Sequence, residues 1–390
     1  MRARQQLASL AEARVAIVHE WMVRYAGSEQ VVAAMLQAFP RADSYALVHD
    51  PEELRGTPLE GVPVRTSFIQ TLPKAKEKYQ TYLPLMPLAV EQFDLRSYDL
   101  IISSNHAVAK GALTSADQLH ISYTHTPIRY AWDLYLDYLA ESGMNRGIKS
   151  WLVRAALHYL RVWDSAAANR VDAYLANSSY VARRIAKLYR RPARVIYPPV
   201  DTERYRPDLP REEFLVAVSR FAPYKRMNII VEAFTRMGKP LVAIGEGSEF
   251  VKAQRIAGPN VKLLGYQPDE VVADYLQRAK AFVFAADEDF GIASVEAQAA
   301  GCPVIAYGKG GALETIVGWP ASDATGVFFS EQTPEALREA VKIFEMHENK
   351  FRPDACRRHA ERFGQQRFQS EFRSTVEELW SRFQQGESLE

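Results

Sequence analysis

Asp287-Glu288-Asp289-Phe290-Gly291-Ile292-Ala293-Ser294-Val295-Glu296 sets two carboxylates, Glu288 and Glu296, eight residues apart across a glycine turn. Ahead of it the apolar run 280–286 suits a buried strand. Behind it 295–300 is helix-forming and is closed by Gly301 and Pro303, both stop signals. The carboxylates therefore flank a strand-to-helix turn, with Glu288 in the turn and Glu296 about one helical turn in. In an open parallel α/β sheet such turns lie at the carboxyl ends of strands, where ligands bind, and the free N–H groups that open the helix attract anions. Carboxylates there can accept bonds from ribose or hexose hydroxyls while the amides take phosphate. An acidic loop before an amphipathic helix is more commonly a solvated first turn, so the surrounding chain has to decide.

At 390 residues, with 47% hydrophobic and 24% charged content, the chain has room for two globular domains. A formal net charge of +1 gives no overall field for nucleic acid, and any basic patch must be local. Cys302 and Cys356 stand far apart without His or Cys at metal-ligand spacing, which fits a reducing cytoplasm. The stretch 1–14 is polar and lacks the apolar centre of a signal peptide, and no apolar run is long enough to span a membrane.

Outward toward the start, 14–18 is expected as a first strand, leading through His19-Glu20-Trp21 and Tyr25-Ala26-Gly27-Ser28-Glu29 into a helix over 30–39. A strand, a glycine turn and a helix form a phosphate-facing loop, although one glycine falls short of the three-glycine dinucleotide fingerprint and no P-loop lysine follows. Further strands are expected at 44–48, 62–66, 100–103, 121–124 and 173–176, alternating with helices, which gives an α/β half with a mainly parallel sheet. His125 and Arg129 follow a buried strand directly. The segment 148–163 combines helical periodicity with basic and aromatic residues; core packing is the expected use of its apolar face, with a membrane-surface helix as the alternative. Basic residues from Lys74 to Lys78 precede an apolar, proline-broken stretch to Leu88 and form a second candidate membrane-facing surface. Pro198-Pro199 stiffens a linker, and strand-helix alternation restarts at 212.

In the second half, strands are expected at 214–219, 240–244, 261–264 and 304–307 and helices at 227–234, 269–278 and 312–317. Gly245-Glu246-Gly247, Gly265 and Gly308-Lys309-Gly310-Gly311 mark the turns. Arg220 and Lys225 stand in the turn after the first of these strands. A guanidinium fork and a point charge so placed suit a diphosphate. Residues 362–383 are expected to be helical throughout.

Ser219 to Arg226, together with the Glu-x7-Glu pattern from Glu288 to Glu296 and its Phe290-Gly291, resemble the retaining nucleotide-sugar transferases of glycosyltransferase family 4. Ala26-Gly27-Ser28-Glu29, His125 to Tyr130, Ala176-Asn177-Ser178-Ser179 and Tyr197 to Asp201 look more narrowly like the mannosyltransferase-type branch that builds bacterial surface polysaccharides. The resemblance covers about 15–383. It implies the α/β GT-B fold: a first domain over 1–197, a linker over 198–211, a nucleotide-sugar domain over 212–362, and a final helix over 363–390 that returns to the first domain. Two facing sheets with a cleft between them are the implied shape. Truncating the final helix is expected to loosen closure and lower turnover before either domain unfolds.

Carried over residue by residue, the resemblance implies that Arg220 and Lys225 bind the donor diphosphate and neutralise it as it leaves. Glu296 holds the ribose hydroxyls, and Glu288 with the amides around Phe290 and Gly291 holds the sugar. Gly27 lets its loop approach the diphosphate, His125 lies by the sugar near the reacting carbon, and Gly265 with Tyr266 borders the base. The implied chemistry retains the anomeric configuration and needs neither metal nor cofactor. Ala26 stands where the family often has a second glycine, which leaves less room for that approach. Asp287-x-Asp289 also fits the short metal-binding motif of a different transferase fold, but it lies inside the longer pattern. The expected donor is a nucleotide sugar, GDP-mannose above others. The expected acceptor is a lipid-linked glycan at the cytoplasmic face of the membrane, with peripheral contact and no nucleic acid. The alternatives are a nucleotide-sugar epimerase, which would need acid/base carboxylates near the sugar in both domains, and a non-catalytic nucleotide-sugar-binding subunit.

Overall fold

A computed structural model describes residues 9–141 and 147–389; most of the polar start on which the leader reading rests lies outside them. The chain divides into two compact units, Met1–Pro199 with Phe368–Glu390, and Val200–Arg367.

The first unit is built on a seven-stranded, wholly parallel sheet: β1 (Val15–Met22), β2 (Asp43–His49), β3 (Val64–Thr66), β4 (Leu100–Asn105), β5 (Leu119–Thr124), β6 (Ala173–Ala176) and β7 (Arg194–Val195), in the order β3-β2-β1-β4-β5-β6-β7. β4 and β5 are buried along their whole length, as parallel strands covered on both faces must be. Alternate residues serve opposite layers. Ile17, Ile102 and Ile121 meet the helix Gly27–Ala38 through Val31 and Met35, whereas Val18 and Ile101 meet the helix Gly147–Ala167 through Leu157 and Leu160. In that second layer lies a fully buried ion pair, Lys110 with Asp164; Trp132 Nε1 (2.8 Å) and the Tyr189 hydroxyl (3.0 Å) also donate to the carboxylate.

The helix Gln365–Gln385 completes the first layer. Its Phe368, Phe372, Val376, Leu379 and Trp380 recur at helical spacing and are buried among Val31, Met35 and Ile121. This corrects the expected effect of truncation, because the helix supplies core to the first unit and its removal strips that core.

The second unit carries a six-stranded parallel sheet: β8 (Leu215–Val218), β9 (Leu241–Ile244), β10 (Val261–Leu263), β11 (Ala281–Phe284), β12 (Val304–Tyr307) and β13 (Gly326–Phe329), in the order β10-β9-β8-β11-β12-β13. β13 and the helices Pro334–Met346 and Pro353–Glu361 extend it beyond the expected elements. The unit begins inside the expected linker: Thr202 and Tyr205 are buried, and the Val200 N–H donates to the Phe363 carbonyl at 2.9 Å. Val200, Thr202 and Tyr205 thus anchor the first part of the expected linker to the second unit.

Both sheets reverse direction once. In the first unit the order turns between β1 and β4, and in the second between β8 and β11. At such a switch point the loops leaving adjacent strands diverge to opposite faces and open a crevice at the strands' carboxyl ends. The charged side chains described next lie at these two points. No helix among the described residues is long and apolar enough to cross a membrane.

Candidate active site

In the second unit the turn leaving β8 runs through Arg220 and a short 3-10 turn at Pro223–Lys225 into the helix Met227–Met237. Two glycines after β9 hold this turn down. A Cβ on Gly245 would collide with the Ser219 carbonyl, and one on Gly247 with the Phe221 carbonyl, so the loop can lie against the turn only without side chains. The Gly245 N–H donates to the Gly265 carbonyl at 2.8 Å, which brings Gly265 to the same loop cluster.

The turn leaving the neighbouring β11 carries Glu288, and its carboxylate forms an ion pair with Lys225 across the switch point. Both groups are mostly buried. Arg220 is exposed and donates to the Tyr224 hydroxyl at 2.6 Å. The Glu288 backbone is fixed by the loop after β12, where the Gly311 N–H donates to the Glu288 carbonyl at 2.8 Å. Gly291 caps the helix Ile292–Ala299 at φ +88°, a conformation that other residues seldom adopt. Phe290 is buried against Phe363. Asp287 pairs with Lys309 at 3.0 Å, so one acid of the Asp-x-Asp stretch is engaged by a cation.

Glu296 faces different neighbours. Asp269, Arg204, Tyr205 and Asp201 act on its carboxyl. Burial first, then the Asp269 charge, push this carboxyl up to about 7, against the pull of Arg204 and Tyr205. The two carboxylates read together in the sequence thus have separate environments: Glu288 is paired with a lysine, and Glu296 sits half-ionised near neutrality beside a buried tyrosine.

In the first unit, Gly27 opens the helix Gly27–Ala38 after an extended Ala26, whose N–H donates to Glu29 Oε2 at 3.1 Å. Glu29 Oε1 lies 3.3 Å from His19 Nε2, and His19 Nδ1 lies 3.1 Å from both the carbonyl and the hydroxyl of Ser104. The Ser104 hydroxyl in turn lies 2.8 Å from His125 Nε2. β1, the end of β4, the residue after β5 and the first turn of the helix are therefore linked by one hydrogen-bonded chain, which runs from the loop around Gly27 to His125.

Burial opposes charge on His19, yet the hydrogen bond and charge of Glu29, with Glu20 behind, hold its pKa above the usual histidine value. Glu29 is correspondingly held below the ordinary carboxylate value, its burial outweighed by His19. His125 moves the other way: burial first, then the charges of His106 and His19, hold it well below the usual histidine range and keep it neutral. Glu20 is fully buried, and its Oε1 accepts the N–H groups of His106, Ala107, Val108 and Ala109 at 2.8–3.0 Å. Although burial opposes its charge, the His106 ring, His19 and these amides hold it ionised.

Among the described residues His19, Glu20 and His106 bring possible ligand atoms within 4.8 Å of one another. Their ligand atoms are only partly committed, since Glu20 Oε2 and His106 Nδ1 are buried without a hydrogen-bond partner. Both nitrogens of His19 have protein partners, one oxygen of Glu20 takes four amides, and its other oxygen faces His106 Nδ1 at 2.9 Å. At His19 and at Glu20 Oε1 a metal would have to displace existing bonds.

His19, Glu20, Glu29, Ser104, His106 and Tyr205 were not singled out as site residues by the sequence. The available signal was the one used for His125: His19-Glu20 and Ser104 to His106 also fall at carboxyl ends of buried strands.

The helix Gly147–Ala167 departs from the expected core packing. Leu157, Leu160 and Trp163 do pack inward, but Ile148 (81% exposed), Trp151 (68%), Leu152, Tyr159 and Val162 form an apolar stripe on the outside. Arg154 and Arg161 lie over the Tyr135 ring, and Arg161 donates to the Ala131 carbonyl at 2.9 Å, so they brace the helix against its own unit. Lys76 in the second candidate surface pairs with Asp50 at 3.1 Å.

Two Rossmann-like parallel sheets, each with charged groups at its switch point, define an α/β protein of the GT-B class. Solved structures bear out that fold. Sucrose-phosphate synthase from Thermosynechococcus elongatus superposes with a TM-score of 0.71 at 17% identity, over 94% of this chain and 99% of that one. Anabaena HepE in complex with UDP gives 0.65 at 16% identity, over 93% and 99%. The family model "Glycosyltransferase Family 4" matches residues 25–204, and "Glycosyl transferases group 1" matches residues 201–363. The chain belongs to glycosyltransferase family 4. Among curated relatives, the human GDP-Man:Man(3)GlcNAc(2)-PP-Dol alpha-1,2-mannosyltransferase is 27% identical over 54% of this chain and 49% of its own length. The GDP-mannose-dependent alpha-(1-6)-phosphatidylinositol monomannoside mannosyltransferase of Mycobacterium tuberculosis is 30% identical over 42% of this chain and 50% of its own. The chain thus spans about half the length of these curated relatives.

Proposed function

We propose that this protein is a retaining hexosyltransferase that moves a hexose, mannose from GDP-mannose, onto a lipid-linked oligosaccharide in the assembly of a surface polysaccharide. The observation that carries the reading is the Lys225–Glu288 ion pair, with Arg220 alongside, at the switch point of the second unit's sheet. A bound donor diphosphate competes for Lys225 and releases the Glu288 carboxylate to accept from a sugar hydroxyl. Arg220 and Lys225 then oppose the charge that develops as the diphosphate leaves, an electrostatic contribution commonly worth about 3 kcal/mol per donor. The bond between the anomeric carbon and the phosphate oxygen breaks while the acceptor oxygen bonds to that carbon on the same face. The acceptor's hydroxyl proton passes to the departing phosphate.

Glu296 takes the ribose hydroxyls, and the amides around Phe290 and Gly291 support the sugar. Gly265 borders the base, Gly27 admits the diphosphate, and His125 addresses the sugar. The reading assigns no metal or cofactor. GDP-mannose is favoured because the printed names of both mannosyltransferase relatives specify GDP-linked mannose. The lipid-linked acceptor and contact with the cytoplasmic face of the membrane are supported by the exposed apolar stripe from Ile148 to Val162, whose helix has its one acid, Asp164, buried against Lys110.

The test is release of nucleoside diphosphate from GDP-mannose, UDP-glucose and related donors, with membrane-extracted acceptor present. The wild type should turn over GDP-mannose, and Lys225→Ala and Glu288→Ala should each lose at least about a hundredfold. Full activity in Lys225→Ala, or no turnover of any donor by the wild type, overturns the reading.

A further inference from the structure

The side chains gathered at the first unit's switch point fix more than the position of His125. Ser104 is fully buried, so its hydroxyl hydrogen needs an acceptor within the protein. Two ring nitrogens lie within reach: His19 Nδ1 at 3.1 Å and His125 Nε2 at 2.8 Å. His19 Nδ1 also faces the Ser104 carbonyl at 3.1 Å, an oxygen that can only accept, so this nitrogen carries a hydrogen. His19 Nε2 faces the Glu29 carboxylate at 3.3 Å, and a hydrogen bond there requires a hydrogen on that nitrogen as well. His19 is therefore an imidazolium with both N–H groups spent, and it cannot take the serine's hydrogen.

We infer that Ser104 and His19 are positioning residues that lock His125 in the tautomer with its hydrogen on Nδ1, so that His125 meets its ligand as a neutral hydrogen-bond donor. The Ser104 hydroxyl donates to Nε2, which leaves Nδ1–H as the ring's only donor. The backbone holds the ring to the same place, because the His125 N–H donates to the Asn105 carbonyl at 2.8 Å and Tyr123 packs edge-on at 5.3 Å. His19 is itself held by Glu29, which also accepts from Ala26 N–H and Ser28 Oγ in the loop around Gly27. Glu20 and His106 are the other titratable groups facing the cluster; Glu20 is tied to four amides and to His106 and reaches His19 Nδ1 only at 3.8 Å.

A neutral Nδ1–H donor suits a sugar hydroxyl or a phosphate oxygen and cannot serve as a general base through that nitrogen. This assignment of a ligand class rests on the transferase reading above, whereas the tautomer does not.

The experiment is long-range proton–nitrogen correlation NMR on the full chain labelled with 15N-histidine, with His125→Asn to assign the ring. The wild type should show His125 protonated on Nδ1 and bare on Nε2 across pH 6–8. Ser104→Ala should move the ring to the Nε2–H tautomer, and Ser104→Thr should restore Nδ1–H. In the turnover assay Ser104→Ala should lower kcat about tenfold with donor KM moved less than twofold, and Ser104→Thr should recover most of the loss. A wild-type His125 protonated on Nε2 overturns the inference without any variant, as does a folded Ser104→Ala whose tautomer is unchanged. Absence of turnover with every donor would instead overturn the transferase reading, and the tautomer would still be read directly.

Discussion

Donor binding should be coupled to deprotonation of Glu296. Its carboxyl is pushed up to about 7 by burial and by the nearby Asp269 charge, so at neutral pH it is about half ionised. Accepting bonds from two ribose hydroxyls requires the carboxylate, and binding must therefore select the ionised form. At pH 6 only about a tenth of the molecules carry it, so the nucleotide Kd should be about tenfold weaker at pH 6 than at pH 8, a cost of about 1.4 kcal/mol. Isothermal titration calorimetry of GDP in buffers of different ionisation enthalpy measures both quantities, and near pH 7 about half a proton should be released per nucleotide bound. The nucleotide's own phosphate also titrates near neutrality, so the comparison that decides is with Glu296→Gln. That variant should bind more weakly at pH 8 and lose the Glu296 share of the pH slope.

The unliganded protein should respond in the opposite sense. A carboxyl whose folded pKa lies above its unfolded value of 4.5 contributes stability fully below pH 4.5 and loses it as pH rises toward 7. Thermal stability attributable to Glu296 should thus fall across the window in which nucleotide binding strengthens. Wild-type affinity that is flat from pH 6 to 8, or an identical slope in Glu296→Gln, would refute the reasoning.

Asp164→Asn removes the charge opposite a fully buried Lys110, and loss of one member of such a pair should destabilise the first unit by about 3–5 kcal/mol in chemical denaturation. An unchanged midpoint would show that the pair is not the buried charge centre it looks to be. A chain ending at Arg367 loses five buried apolar side chains, Phe368, Phe372, Val376, Leu379 and Trp380, each worth about 1.5–3 kcal/mol. The total rivals the whole stability of a typical domain, roughly 5–15 kcal/mol, so the truncated chain should lose cooperative unfolding of its first unit by circular dichroism and fluorescence. Native-like melting of that chain would contradict the packing described for this helix. Trp151→Glu with Leu152→Glu places charge on the exposed stripe without touching the core and should abolish flotation with vesicles rich in anionic lipid. Unchanged flotation would remove the helix from the membrane argument.

The second unit's candidate residues were legible because their determinants are local. Glu288, Phe290, Gly291 and Glu296 lie in one stretch, Arg220 and Lys225 in another, and each stretch follows an apolar strand whose carboxyl end could be read from the sequence. The separate fates of the two glutamates were not legible, since Arg204 and Tyr205, which act on Glu296, come from a segment that read as linker. β13 and the two helices after it went unassigned, and for the apolar face of the Gly147–Ala167 helix core packing was expected, with a membrane surface as the alternative. Periodicity gives the width of an apolar stripe but not whether protein covers it. Here the helix has apolar residues on two faces, and one of them stays uncovered.

The first unit's network shows why the remainder could not be read. His19, Glu29, Ser104 and His125 come from three neighbouring strands or the residue just after them and from one helix turn, and the bonds that join them span 10, 85 and 21 residues of sequence. What brings them together is the strand order, in which β4 is inserted between β1 and β5. Each residue alone looks like a polar group at a strand end. Once the order is known, the ends of β1 and β4 must lie side by side at the switch point, and the pairing of His19 with Ser104 in the β1–β4 register follows. The two units therefore prepare their switch points by different means. In the second, Lys225 and Glu288 neutralise each other across the switch point. In the first, the charges of Glu20, Glu29 and His19 are consumed internally, so that His125 stays neutral with the orientation of its ring already decided.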